Sequence, residues 1–197
     1  MISNSDTYRS IASPAKGIYK ELGSKFLAFA YPIETEEQAK KIISDIRKEY
    51  FDARHHCYAW RLGLSGEPFR MNDDGEPSST AGRPILGQLL SRELSDVLVV
   101  VVRYFGGVKL GVPGLIRAYR TATQNALDEA AVIEKVAGET FTVQFGYLQM
   151  NDVMKTLKDM GITPTRQSFD LDCTLSVRVR LSQIEDFRKQ LAFCQIY

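Results

Sequence analysis

The residues best placed to do chemistry lie between positions 97 and 127. Arg103, Lys109, Arg117 and Arg120 stand there without a single Asp or Glu, a local charge of +4 in a chain whose net charge is +1. Gly106, Gly107, Gly111 and Gly114 among them let a backbone come close to a ligand, and Pro113 suits the first turn of a helix whose free N–H groups attract anions. A phosphate is the natural guest of such a set. The string GGVKLGVPG is neither a P-loop, since no GK[ST] follows, nor GxGxxG, so neither standard nucleotide motif is present.

Asp73, Asp74 and Glu76 in DDGEP are hard oxygen donors of the kind that hold Mg²⁺ or Ca²⁺. They lack the spacing of a calcium loop, and Asp-Gly followed by Glu-Pro is first of all turn chemistry. His55 and Cys57 share one face of an alternating strand and form a possible polar site, as a nucleophile and base or half of a metal site. No third orienting group is placed beside them by spacing. Ser78, Ser79 and Thr80 offer hydroxyls without a GxSxG elbow, and read as caps of the following turn. No cofactor and no resident metal are expected.

The elements that must carry these residues follow from periodicity. Residues 17–33 read as two strands around a turn at Gly23-Ser24. A helix follows, with Thr35 as N-cap, Gln38 completing a capping box and Ala39, Ile42, Ile43, Ile46 and Tyr50 as its stripe. His55 to Leu62 alternates, with His55, Cys57, Ala59 and Arg61 on one face and His56, Tyr58, Trp60 and Leu62 on the other. Residues 63–84, rich in Gly and Pro, are expected to form one long irregular loop of functional kind. Ile85 to Leu94 makes a short helix, and VLVVVV from Val97 a strand covered on both faces. The glycine-rich loop leads into a helix from about Gly114 to Ala131, with Leu115, Tyr119, Ala122, Ala126 and Ala130 buried.

Gly138 and its charged flanks suggest a linker, dividing the chain into domains 1–135 and 139–197. The second domain reads as a strand at Phe141 to Phe145, a helix at Leu148 to Met160, strands at Ile162 to Phe169 and Leu171 to Arg180, and a helix from Ser182 to Cys194 capped by Ser182/Glu185. This βαββα order is close to a ferredoxin-like domain whose last strand shrinks to Gln195-Ile196-Tyr197.

Composition sets outer limits. The 197 residues are 44% hydrophobic and 25% charged, which suits a globular protein and excludes collagen-like and disordered classes. With 25 Lys and Arg against 24 Asp and Glu, no global field recruits nucleic acid or an anionic membrane. The longest apolar runs are far too short to span a bilayer, and no signal peptide opens the chain, so a cytoplasmic protein without a membrane partner is expected. Three widely spaced cysteines read as reduced thiols.

Several strings together are specific. SKF at 24–26, HHCYAWR at 55–61, DDGEP at 73–77, TAGRPIL at 80–86 and RYFGGVKLG at 103–111 resemble the YigZ/IMPACT family, in its bacterial two-domain form, over nearly the whole chain. The resemblance implies an α+β protein. Its amino-terminal domain would be an α/β sandwich of the ribosomal protein S5 domain 2 type, and its carboxy-terminal domain ferredoxin-like, similar to the later domains of elongation factor G. It marks Asp73, Asp74, Glu76, Thr80 and Arg83 as the family-motif loop. It also implies a regulator of translation, since the eukaryotic members are linked to translation initiation under starvation. Two positions depart from the family, Ser79 and Pro113, where Gly is common.

The leading expectation is a non-catalytic, translation-associated protein that holds RNA or the ribosome through Arg103, Gly106, Gly107, Lys109, Gly111, Arg117 and Arg120, with salt-dependent affinity. Two others stand beside it: an enzyme acting on a small phosphorylated molecule, with DDGEP carrying a metal, and a purely protein-binding regulator of translation. The oligomeric state is not legible.

Overall fold

The computed structural model of the chain describes residues 6–169 and 172–197. Its architecture is mixed α and β, and it divides into two compact units, Tyr8–Lys135 and a second made of Val136–Tyr197 with the residues up to Thr7. The division thus places Asp6 and Thr7 with the second unit.

The first unit runs β1 (Thr7–Ile11), β2 (Ala15–Glu21), β3 (Ser24–Pro32), α1 (Glu36–Glu49), β4 (His55–Arg61), β5 (Phe69–Asn72), α2 (Gly82–Ser91), β6 (Val97–Tyr104), α3 (Gly111–Asp128) and β7 (Val132–Val136). Five strands form one sheet in the order β2-β3-β6-β4-β5, each antiparallel to its neighbour. Strand β6 is central and alternates between two cores. Val97, Val99 and Val101 pack under α2 and α3 with Phe26, Ala28, Cys57 and Ala59, while Leu98, Val100 and Val102 meet α1 with Leu27, Phe29 and Trp60. Burial on both faces is why this strand is apolar at every position.

Local signals hold in detail. Thr35 Oγ1 accepts the N–H of Gln38, and the Gln38 side chain accepts the N–H of Glu34, one residue beyond the cap. The first hairpin turns at Leu22-Gly23, both at positive φ, one residue earlier than the sequence suggests, and Ser24 is the first residue of β3. The 63–84 segment is not one loop. It contains β5, an edge strand with all four residues exposed, so no alternation of burial marks it. Strand β1 pairs with β7 in a separate two-stranded sheet.

The second unit runs β8 (Gly138–Phe145), a 3₁₀ turn, α4 (Met150–Asp159), β9 (Pro164–Phe169), β10 (Cys173–Arg180), a second 3₁₀ turn, α5 (Ile184–Gln190) and β11 (Gln195–Ile196). Leu171, where a strand was expected to begin, lies outside the described residues. The antiparallel sheet has the order β11-β8-β10-β9, and reciprocal backbone bonds between Thr142 and Tyr197 extend its short last strand. Phe141, Val143, Leu175, Val177, Phe187 and Leu191 form its core. The Ser182/Glu185 capping box does not form: Ser182 gives both its N–H and its hydroxyl to the Asp6 carboxylate, and the helix starts at Ile184. The division falls after Lys135, where the boundary was expected, and Ala137 alone separates β7, which ends at Val136, from β8, which begins at Gly138. Among the described residues no helix is long and apolar enough to cross a membrane.

Candidate functional site

Antiparallel pairing sets Arg103, near the end of β6, opposite His55 on one side and Phe26 on the other. Its position in the alternation of β6 aims the side chain into the α2–α3 core. There its guanidinium donates to Glu76 at 2.6 Å, with side-chain exposures of 7% and 3%. Phe26 and Phe105 lie 5.4 and 5.7 Å from it, two aromatic faces that suit a weakly hydrated cation. Its Nε is buried without a hydrogen-bond partner among the described residues. The Tyr119 hydroxyl of α3 donates to the same Glu76 oxygen at 2.7 Å and lies 3.3 Å from the Cys57 sulfur. The Cys57 thiol donates to the Asp73 carbonyl at 3.0 Å.

The family-motif loop is built inward as well. The Asp73 carboxylate accepts the N–H groups of Ser79, Ala81 and Gly82 at 2.8–3.0 Å, which caps α2 from a distance because Ala81 at the N-cap position has no side-chain oxygen. The Asp74 carboxylate accepts the N–H of His56 at 2.6 Å and pairs with Arg47 at 2.5 Å. His55 donates Nδ1–H to the Asp74 carbonyl at 2.9 Å and His56 donates Nε2–H to the Tyr50 carbonyl at 3.0 Å. Thr80 Oγ1 donates to the Pro77 carbonyl at 2.6 Å. Each motif carboxylate is therefore taken by the protein's own donors, and among the described residues no group of three or more His, Cys, Asp and Glu side chains gathers to hold a metal.

Protonation follows the same enclosure. Burial, and then the carboxylates of Glu76, Asp74 and Asp73, push the Cys57 thiol up, against a hydrogen bond from Tyr119 that lowers it. Burial likewise pushes the Tyr119 phenol up, helped by Cys57 and Glu76. A buried thiol held protonated is a poor nucleophile at neutral pH. His55 and Cys57 do share a strand face, as the alternation implies, but each spends its proton on a backbone carbonyl.

The glycine-rich loop has an internal reason for one of its glycines. A Cβ on Gly106 would stand 1.9 Å from Gly23 C and 2.1 Å from Ser24 N, and the Gly106 N–H donates to Ser24 Oγ at 3.1 Å. Its bare backbone fits the β2–β3 turn. Gly107 and Gly111 take positive φ. Pro113 is the third residue of α3, where its missing N–H costs the helix nothing.

The four cations of this segment do not act as one set. Arg103 is enclosed with Glu76, and Arg117 is paired with Glu21 of β2. Lys109 and Arg120 remain exposed, and among the described residues no hydrogen bond or ion pair engages them. Arg120 lies instead in a groove of about 1080 Å³ between α2, α3 and β5, which also takes in Arg83, Ser79 and Thr80. Phe69 and Leu90 expose about half their surface there. No Asp or Glu lines the groove. Sequence reasoning missed it because β5 carries no burial pattern. A signal was present in α3, where Val112, Ile116, Arg120 and Gln124 recur every fourth residue outside the buried stripe.

A sequence-family model described as the Impact N-terminal domain matches residues 22–127. The IMPACT family member YigZ of Escherichia coli (strain K12) is 31% identical over 183 residues, which covers 92% of this chain and 90% of that protein. The chain belongs to the IMPACT family. A protein IMPACT homolog of Saccharomyces cerevisiae is 33% identical over 92 residues, 45% of this chain and 36% of its own length. A crystal structure described as that of a hypothetical protein superposes with a TM-score of 0.73 at 29% identity and covers 96% of both chains. This IMPACT family chain therefore has a solved counterpart that covers nearly its whole length.

Proposed function

We propose that this IMPACT family chain is a non-catalytic, translation-associated regulator that acts by binding in the cytoplasm, through the face formed by the glycine-rich loop, α2 and α3. Its target is an anionic component of the translation machinery, met by Lys109, Arg83 and Arg120. One observation carries this reading: the acids, imidazoles and thiol of the motif are spent on internal bonds, while the adjoining acid-free groove holds two arginines that no described residue pairs with. That distribution disfavours the enzyme reading, which needs DDGEP free to carry a metal.

The strand order of the second unit, with its split β-α-β connections, supports reading it as ferredoxin-like, and we read the first unit as S5 domain 2-like. Both readings fit the translation setting that the family resemblance implies, by analogy of fold. The test is co-sedimentation of the purified chain with ribosomes across a salt series. Binding that weakens with salt and is lost in Arg83→Glu/Arg120→Glu supports the reading; binding indifferent to both rejects it.

A further inference from the structure

We propose that the groove between α2 and α3 seats an amphipathic α-helix of a partner protein, with acidic side chains flanking its apolar stripe. This rests on the reading that the face is a binding face, and names what occupies it.

The first observation is Gly87. It sits in the middle of a ten-residue helix, where glycine weakens the helix relative to alanine. A Cβ there would meet nothing within 4 Å, and its φ is not in the left-handed region. Neither packing nor backbone conformation within the chain calls for a glycine. What its missing side chain does is leave bare backbone in the lining of the groove, so that another backbone can approach closely.

The second observation is the lining itself. Leu90 on α2 and Val112 on α3 are each 51% exposed, and Phe69 and Met71 of β5 leave 49% and 43% of their surface open. The described residues of the chain leave about half the surface of each of these apolar side chains open, as in grooves that accept the apolar face of a helix. The α3 side runs from Val112 to Gln124, about 18 Å at the rise of a helix, which matches a partner of three to four turns.

Charge selects the partner's flanks. Arg83 and Arg120 face a groove without Asp or Glu, and no described side chain pairs with them. Glutamates or aspartates beside the partner's apolar stripe would answer both, and a basic helix would be repelled. RNA fits less well. The groove offers two cations and one aromatic ring, whereas a nucleic-acid strand is held by a run of cations and several stacking rings. Of the other cations of the 97–127 segment, Arg103 and Arg117 are already paired and Lys109 does not line the groove.

The test uses the full chain and a synthetic peptide of about 18 residues, with leucines at i, i+4 and i+7 flanked by glutamates. Its comparators are the same peptide with lysines for glutamates and a single-stranded oligouridylate, all followed by fluorescence anisotropy. The glutamate peptide is expected to bind and the lysine peptide not. Gly87→Gln should weaken binding at least about tenfold while raising the melting temperature, a readout that separates a filled groove from a damaged fold. Unchanged affinity in Gly87→Gln overturns the proposal. So does binding of the oligouridylate in place of the peptide, which would leave the face a binding face with a different occupant. Failure of every probe overturns it too, and the ribosome test then decides whether the wider reading falls with it.

Discussion

The Glu76 carboxylate and the Arg103 guanidinium meet at 2.6 Å with both side chains more than nine-tenths buried, joining the DDGEP loop to the end of the central strand. Two of the most distinctive family strings are thus two halves of one buried ion pair, with Tyr119 completing it from α3. Removing either charge alone strands the other in the core, at a cost of about 3–5 kcal/mol. Glu76→Ala or Arg103→Ala should lower the urea midpoint accordingly. Glu76→Leu/Arg103→Met, which leaves no orphan charge, should cost well under the sum of the two single changes. A single variant within about 1 kcal/mol of wild type would show that the pair carries no structural weight.

Ser79 sits at φ +63°, in the left-handed region that favours glycine, at a position where the family resemblance gives Gly. Its N–H donates to Asp73, a bond that glycine keeps. Ser79→Gly should therefore stabilise the chain by about 0.5–1 kcal/mol, seen as a rise of roughly 1–4 °C in melting temperature. No rise would mean that the loop holds this serine without strain.

The buried Cys57 thiol gives a pH dependence whose sign is set by its upward shift. The folded state keeps the proton, whereas the unfolded thiol releases it near its ordinary value of 9.0. Stability from this group is complete below that pH and declines above it, by about 1.4 kcal/mol per pH unit. Tyr119, also shifted upward, adds to the decline from its ordinary value of 10.0. Denaturant titrations between pH ~8 and ~10 should show the loss, and Cys57→Ser should remove the thiol's share. An equal loss in Cys57→Ser would assign it elsewhere.

Gly106→Ala should be among the most damaging small changes in the chain. The added methyl would overlap the backbone of the β2–β3 turn, so either the hairpin or the loop must move, at about 3 kcal/mol. Circular-dichroism melts check this, and a wild-type melt would show that the turn yields freely.

Much of the frame was legible. Apolar VLVVVV pointed to a strand covered on both faces, the alternation of His55–Arg61 assigned Cys57 and Trp60 to opposite cores, and Thr35 and Gln38 marked the start of α1. Strand β5 was not legible, because an exposed edge strand leaves no pattern of burial. The fate of the cations was not legible either. Arg103 finds Glu76 27 positions away and Arg117 finds Glu21 96 positions away, and no local spacing shows that a charge will be neutralised by a distant one. The Gly-rich loop therefore reads as a ligand cradle in sequence, while part of its glycine content serves the chain's own hairpin.

The account's central claim is that the motif network is scaffold and that the adjoining face binds. The most direct measurement is ribosome co-sedimentation of Cys57→Ala beside Arg83→Glu/Arg120→Glu, each with its melting temperature. The account predicts opposite responses: Cys57→Ala loses stability and keeps its binding, while the charge reversal keeps its stability and loses binding. A folded Cys57→Ala that no longer binds, with the charge reversal binding normally, would contradict it and return function to the buried network.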